Sequence, residues 1–250
     1  SSGTASGKTE AAFLPVLTQL WENPSASVGV LYLSPLKALI NDQFERLEGL
    51  LEEAAIPVTK WHGDASAAAK KRVMKRPQGV IQTTPESLES MLMHNSSGAY
   101  RLFSDLRFII IDEMHYFMDN DRGLQLLCLL ERLARLIGYH PRRIGLSATL
   151  GDCTSAVQWL NTDSGRDCIV PKCHEKGRSL RLSVRFFPIK EKIPNSDSKV
   201  LLQNYYDYLF ESTWNKRCIL FSNSKGEVEE NIAHLRRIAA ERRLPDNYLV

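Results

Sequence analysis

Three short polar segments carry residue types that phosphate chemistry uses. The first is Ser2-Gly3-Thr4-Ala5-Ser6-Gly7-Lys8-Thr9. It approaches the Gly-x-x-x-x-Gly-Lys-Ser/Thr phosphate loop, with Ser2 standing where that pattern has its first glycine. Small residues let backbone N–H groups close around phosphate oxygens, and a helix starting near Lys8 aims its positive end at them. Lys8 would reach the β- and γ-phosphates and the Thr9 hydroxyl would ligate Mg²⁺. The same residues also suit a plain helix N-cap with glycines for flexibility.

The second segment is Asp112-Glu113-Met114-His115, directly after the apolar run Phe108-Ile109-Ile110-Ile111. A carboxylate at the C-terminal end of a buried strand stands where α/β sheets bind ligands. Asp112 suits the Mg²⁺ of a phosphate-loop site, and Glu113 can orient the attacking water. Adjacent acids repel at short range, so their pairing needs a reason. An acidic N-cap, helped by the dipole of a helix over 114–118, is the competing reading. The third segment, Ser147-Ala148-Thr149, ends a strand over 143–148. Its hydroxyls can bond the acidic box, but taken alone an ordinary turn before Gly151 is the stronger reading. Each segment alone leaves both readings open, but three at strand-to-loop junctions, in this order, favour a nucleotide site.

The elements that must position these segments are legible as alternation. Strands are expected over 28–34, 57–62, 79–83, 106–112, 143–148 and 168–170. Helices are expected over 8–21, 37–54, 66–75, 86–94, 123–137 and 154–161. Such alternation predicts a parallel sheet with helices on both faces. Beyond about residue 171 the character changes. The period-two pattern over 181–187 reads as an antiparallel-type strand, and 190–198 reads as a linker. A strand–helix pattern then restarts, with a helix over 199–211, a strand over 217–222 and a helix over 225–242. The expected organisation is a first domain over 1–175, a connecting strand and linker over 176–198, and the opening of a second domain over 199–250.

Composition narrows the class. The 250 residues are 43% apolar and 24% charged, an ordinary globular mixture. No apolar run approaches the ~18 residues of a membrane span, and no secretory signal is visible. Five cysteines at 128, 153, 168, 173 and 218 lack any Cys-x-x-Cys. Reduced, mostly buried thiols in a cytoplasmic protein fit better than a disulfide framework or a zinc site at Cys168, Cys173 and His174. A net charge of +3 does not by itself point to nucleic acid.

Taken together, Gly7-Lys8-Thr9, Asp112-Glu113-x-His115 and Ser147-Ala148-Thr149 resemble motifs I, II and III of superfamily 2 helicases, the DEAD/DEAH-box class. Pro35-Leu36-Lys37-Ala38-Leu39 resembles motif Ia, Thr84-Pro85-Glu86 resembles motif Ib, and His62-Gly63-Asp64 matches the loop between them. Leu220-Phe221-Ser222-Asn223-Ser224 resembles motif IV, and the wording is closest to the large helicase-related (Lhr-like) branch. Nothing before Val250 matches motifs V and VI, and Met114 replaces the commoner Ala, Val or Cys of the acid box.

The resemblance implies a RecA-like phosphate-loop NTPase domain followed by the start of a second one. It implies ATP and Mg²⁺ on Thr4, Ala5, Ser6, Gly7, Lys8 and Thr9, with Thr9 and Asp112 at the metal and Lys8, Asp112 and Glu113 catalytic. His115, Ser147 and Thr149 would couple nucleotide state to a strand-binding surface containing Pro35, Lys37, Thr84 and Pro85. The partner implied is a single strand of DNA or RNA tracked along its backbone, with no membrane and no obligatory protein partner. Residues 1–250 alone would then hydrolyse ATP weakly. A phosphate-loop ATPase of another class, or a nucleic-acid-binding module without hydrolysis, are the alternatives.

Overall fold

A computed structural model describes residues 7–52, 54–147, 153–162, 164–171, 182–187 and 197–248. Of the residues singled out above, Ser2, Gly3, Thr4, Ala5, Ser6, Ala148, Thr149, Gly151, Cys173 and His174 lie outside the described residues, as do the segments 172–181 and 188–196.

The chain divides into two compact units, Ser1–Gly177 and Arg178–Val250. The first unit is built on five short strands, β1 (Val30–Leu33), β2 (Val58–Trp61), β3 (Val80–Thr83), β4 (Phe108–Ile111) and β5 (Arg142–Gly145). All pair in parallel in the order β2-β3-β1-β4-β5. Side chains alternate across a strand, so each face of the sheet needs its own cover. Leu31, Leu33, Ile109 and Ile111 point to one layer and Val30, Tyr32, Phe108 and Ile110 to the other. The second layer is covered by α1 (Lys8–Glu22), through Phe13, Val16, Leu17 and Leu20, and by Leu51 of α2 (Lys37–Glu52). The first layer is covered by α3 (Ala67–Lys75), α4 (Pro85–His94), α5 (Ser96–Phe103), α6 (Asp121–Ile137) and α7 (Cys153–Asn161). This is the parallel α/β architecture that the alternation predicts.

In this order the chain passes from β1 outward to β2 and back to β3, then crosses past β1 to β4, so the connections after β1 and after β3 leave in opposite directions. Open α/β sheets bind ligands at the C-terminal ends of strands beside such a reversal. Ser34, Thr84, Asp112 and Leu146 each follow a strand directly, so all four stand at that edge.

Several expectations are corrected. Helix α5 has no counterpart among the expected helices; the Asn95 carboxamide caps it at Gly98 N–H, and Ala99, Leu102 and Phe103 pack in the core. Segments 168–170, 182–187 and 217–222 are not strands. A strand is completed by a neighbour's hydrogen bonds, and none of these segments is paired among the described residues. The acid box leads into a single 3₁₀ turn, Met114–Tyr116, and not into the helix over 114–118 of the competing reading. The thiols are not mostly buried: Cys128 and Cys218 are exposed.

The second unit pairs α8 (Asp197–Thr213) with α9 (Lys225–Glu241). Tyr206, Leu209 and Phe210 pack against Leu235, Ile238 and Ala239. Ser224 caps α9 at Glu227 N–H. No helix among the described residues is long and apolar enough to cross a membrane.

Candidate active site

The site begins at the N-terminus of α1. Gly7 has φ +74°, a left-handed conformation that glycine adopts without strain. Its carbonyl accepts the first helical bond, from Ala11 N–H. Helix α1 therefore starts at Lys8 with its positive end at the C-terminal edge of the sheet. Thr9 is buried, and Lys8 Nζ is buried with no hydrogen-bond partner among the described residues. A desolvated ammonium without an acceptor is costly, so this end of the helix suits an anion.

Asp112 enters the same edge from β4 and is 6% exposed. Its backbone N–H donates to the Leu33 carbonyl at 2.8 Å, continuing the β1–β4 ladder. Its Oδ1 accepts from the Glu113 N–H at 2.9 Å, and its Oδ2 accepts from the Tyr32 hydroxyl at 2.5 Å. The carboxylate is thereby fixed before any ligand binds.

Glu113 follows with φ 45°, in the left-handed region that few non-glycine residues occupy. Such strain persists where surrounding contacts over-determine it, and functional sites concentrate it. Here the Met114 N–H donates to the Leu146 carbonyl at 2.8 Å, and Leu146 N–H donates to the Ile111 carbonyl at 2.8 Å. These bonds turn the chain immediately after Asp112. Glu113 Oε2 is buried without a hydrogen-bond partner among the described residues. A carboxylate oxygen held in that way can accept a proton from a water or bind a cation.

His115 reaches the third segment. Its Nδ1 lies 3.0 Å from Ser147 Oγ and 3.3 Å from Glu113 Oε2. Ser147 is 2% exposed, so the imidazole links a buried hydroxyl to the acidic pair. Lys8, Met114 and Ser147 also line one cavity of about 710 Å³ that runs along β5. Gly7, Lys8, Thr9, Asp112, Glu113, His115 and Ser147 thus stand at one edge of one sheet. The donor set fits a nucleoside triphosphate with a divalent cation: an ammonium with no hydrogen-bond partner among the described residues, a helix N-terminus, a buried hydroxyl and two carboxylates.

The candidate strand-binding residues lie along the same edge, toward β2, and differ in exposure. Lys37 is exposed and pairs with Asp64 at 3.0 Å. Its hydrogen bond and charge hold the Asp64 carboxyl below its ordinary range. Pro35, Thr84 and Pro85 are buried. Thr84 Oγ1 accepts from the Ser87 N–H as the cap of α4, with Pro85 at the first helical position. These three shape the backbone of the edge, and Lys37 adds an exposed cation to it.

Two residues escaped sequence reasoning. Tyr32 has a signal: a phenol in an otherwise apolar buried strand must find a partner for its hydroxyl. Arg122, at the start of α6, has none; it donates to the Pro35 carbonyl across the fold at 2.6 Å.

Comparison with known proteins identifies the family. The family model described as DEAD/DEAH box helicase matches residues 1–156. The chain is 32% identical over 260 residues to an ATP-dependent helicase Lhr-Core of Methanocaldococcus jannaschii, covering 96% of this chain and 30% of the relative. It is 32% identical to an Lhr helicase/probable uracil glycosylase of Mycolicibacterium smegmatis, covering 96% of this chain and 16% of that one. Among solved structures, the Mycobacterium smegmatis helicase Lhr bound to ssDNA and AMP-PNP matches with a TM-score of 0.75 at 29% identity, over 97% of this chain and 32% of that chain. The helicase MrfA bound to DNA and AMPPNP matches with a TM-score of 0.72 at 25% identity, over 96% and 33%. The chain therefore spans a third or less of the length of these relatives.

Proposed function

Because the chain belongs to the DEAD/DEAH box helicase family, we propose that it forms part of an ATP-dependent motor that moves on or unwinds nucleic acid. In this reading residues 1–175 form the first RecA-like, ATP-binding domain, 176–198 connect, and 199–250 open the second. ATP lies with its phosphates at the N-terminus of α1, on Thr4, Ala5, Ser6, Gly7, Lys8 and Thr9. The observation that carries the reading is that Lys8, whose Nζ has no hydrogen-bond partner among the described residues, lines one cavity with Met114 and Ser147, the residues bonded to or beside Asp112, Glu113 and His115.

Mg²⁺, held by Thr9 and Asp112, would neutralise charge on the β- and γ-phosphates. Lys8 supplies a fixed positive charge to the oxygens on which charge develops. Glu113 orients the attacking water and takes its proton through the carboxylate that the left-handed turn holds in place. His115, bonded to Ser147, senses that carboxylate and passes its state to the chain after β5, where Thr149 belongs to the same relay. Strand phosphates meet the edge formed by Pro35, Lys37, Thr84 and Pro85, with Lys37 as the charged contact. Such contacts read backbone and not bases, as a motor that moves along any sequence needs. The relatives bound to DNA and AMP-PNP support both halves of the proposal, and a cytoplasmic setting goes with it.

The test is ATP turnover by the protein as its gene encodes it, measured without nucleic acid and with single-stranded DNA, duplex DNA and RNA side by side. Stimulation by at least one polymer is expected. Equal turnover in all four conditions contradicts a strand-coupled motor and leaves a phosphate-loop ATPase of another class.

A further inference from the structure

Arg122 is the second residue of α6, and three contacts fix its guanidinium. Nη2 donates to the Pro35 carbonyl at 2.6 Å. Nε donates to Glu86 Oε1 at 2.8 Å, and Nη2 lies 2.7 Å from the same oxygen. The guanidinium carbon lies 5.5 Å from the centre of the Phe117 ring, in cation–π range. These partners come from three places: the turn after β1, the first turn of α4, and the chain just after the acid box.

The start of α6 is itself pinned. A Cβ at Gly123 would fall 1.5 Å from the Phe117 carbonyl oxygen, so only glycine lets α6 approach this closely. Asn120 caps the helix at the Gly123 N–H, at 3.0 Å, and its amide donates to the Tyr116 carbonyl at 2.9 Å. Phe117 is fully buried and its N–H bonds to the Met114 carbonyl. An unbroken set of contacts therefore runs from Met114, through Phe117 and Gly123, to Arg122 and on to Pro35 and Glu86. Burial raises the Glu86 carboxyl, but its own N–H, the Thr84 hydroxyl and Arg122 together outweigh that and keep it charged.

We propose that Arg122 is a positioning residue for strand binding: it locks the segments at Pro35–Leu36–Lys37 and Thr84–Pro85–Glu86 in register and ties both to the acid box. The inference rests on the strand-binding role proposed above. Arginine suits the task because its rigid fork can hold a carbonyl and a carboxylate together while its face packs on an aromatic ring. The buried Pro35, Thr84 and Pro85 cannot adjust their side chains to a ligand, so the spacing of the two segments depends on such a brace.

The experiment uses the protein as encoded, with Arg122→Gln, Arg122→Lys, Glu86→Ala and the Arg122→Gln/Glu86→Ala pair. Binding of fluorescein-labelled oligodeoxythymidine and oligouridine is read by anisotropy, and ATP turnover is read with and without strand. Arg122→Gln should weaken strand binding about tenfold, the loss expected for one charge-assisted bond. Strand-free turnover and the KM for ATP should stay within about twofold of wild type on the same estimate. Arg122→Lys should recover part of the loss, since an ammonium can keep one of the two partners. The double variant should be little worse than either single one, because both remove the same brace. Wild-type strand affinity in Arg122→Gln overturns the proposal. So does an equal fall in strand-free turnover and strand binding, the mark of a merely structural residue. Failure of the wild-type protein to bind either oligonucleotide overturns the strand-binding reading itself.

Discussion

The Tyr32 hydroxyl donates to Asp112 Oδ2 at 2.5 Å, joining neighbouring strands β1 and β4 beneath the acid box. The other carboxylate oxygen accepts from the Glu113 N–H. One strand thus orients the carboxylate that the next strand presents, on the floor of the proposed metal site.

Removing only that hydroxyl tests its role. Tyr32→Phe keeps the buried ring, which lies 5.7 Å from Phe13. Stability should fall by about 1 kcal/mol, the net value of one hydrogen bond. The Mg²⁺ concentration for half-maximal ATP turnover should rise about tenfold, as when a residue that orients a metal ligand is lost. Unchanged Mg²⁺ dependence would remove Tyr32 from this role.

Lys37 is held by Asp64, an ion pair whose side chains are 51% and 76% exposed. An exposed pair competes weakly with a strand phosphate for the same ammonium. Asp64→Asn should therefore tighten strand binding about two- to threefold at low salt, with the gain fading as salt screens the charges. Equal or weaker binding would mean that Lys37 does not meet the strand.

His62 gives a pH prediction. It is 5% exposed, and neither ring nitrogen is hydrogen-bonded among the described residues. Burial holds its pKa below the ordinary 6.5; Asp64 opposes this, while Lys37, Lys70 and Lys60 add to it. The unfolded chain takes up the proton as pH falls through about 6.5 and the folded one resists, so folding loses stability on the acid side. Above that pH the contribution is fully present. His62→Gln should flatten the fall of Tm between about pH 7 and 5 relative to wild type. Parallel curves would contradict this.

Much of the fold is legible because strand centres and helix faces are local patterns. Phe108–Ile111 reads as a buried strand, and its neighbours follow from alternation. Residue types at strand ends mark Lys8, Asp112, Glu113 and Ser147, since ligands gather there in any parallel sheet. What escapes is non-local. The Tyr32–Asp112 bond spans 80 residues and the Arg122–Pro35 bond 87, and no spacing rule reaches so far. Segment 168–170 misleads for the same reason: its residues favour a strand, but a strand needs a partner. Helix α5 is hard to see in the sequence because Gly98 and two serines suit a turn, while the Asn95 cap and the packing of Leu102 and Phe103 decide the outcome.

The central claim is that Glu113, held in its left-handed turn after Asp112, activates the water that cleaves ATP. The most direct measurement compares wild type with Glu113→Gln in the protein as encoded, reading ATP affinity and strand-stimulated turnover together. The account predicts near-normal ATP binding with turnover lowered by about two to four orders of magnitude, the range for a general base. Near-normal turnover in Glu113→Gln would contradict it.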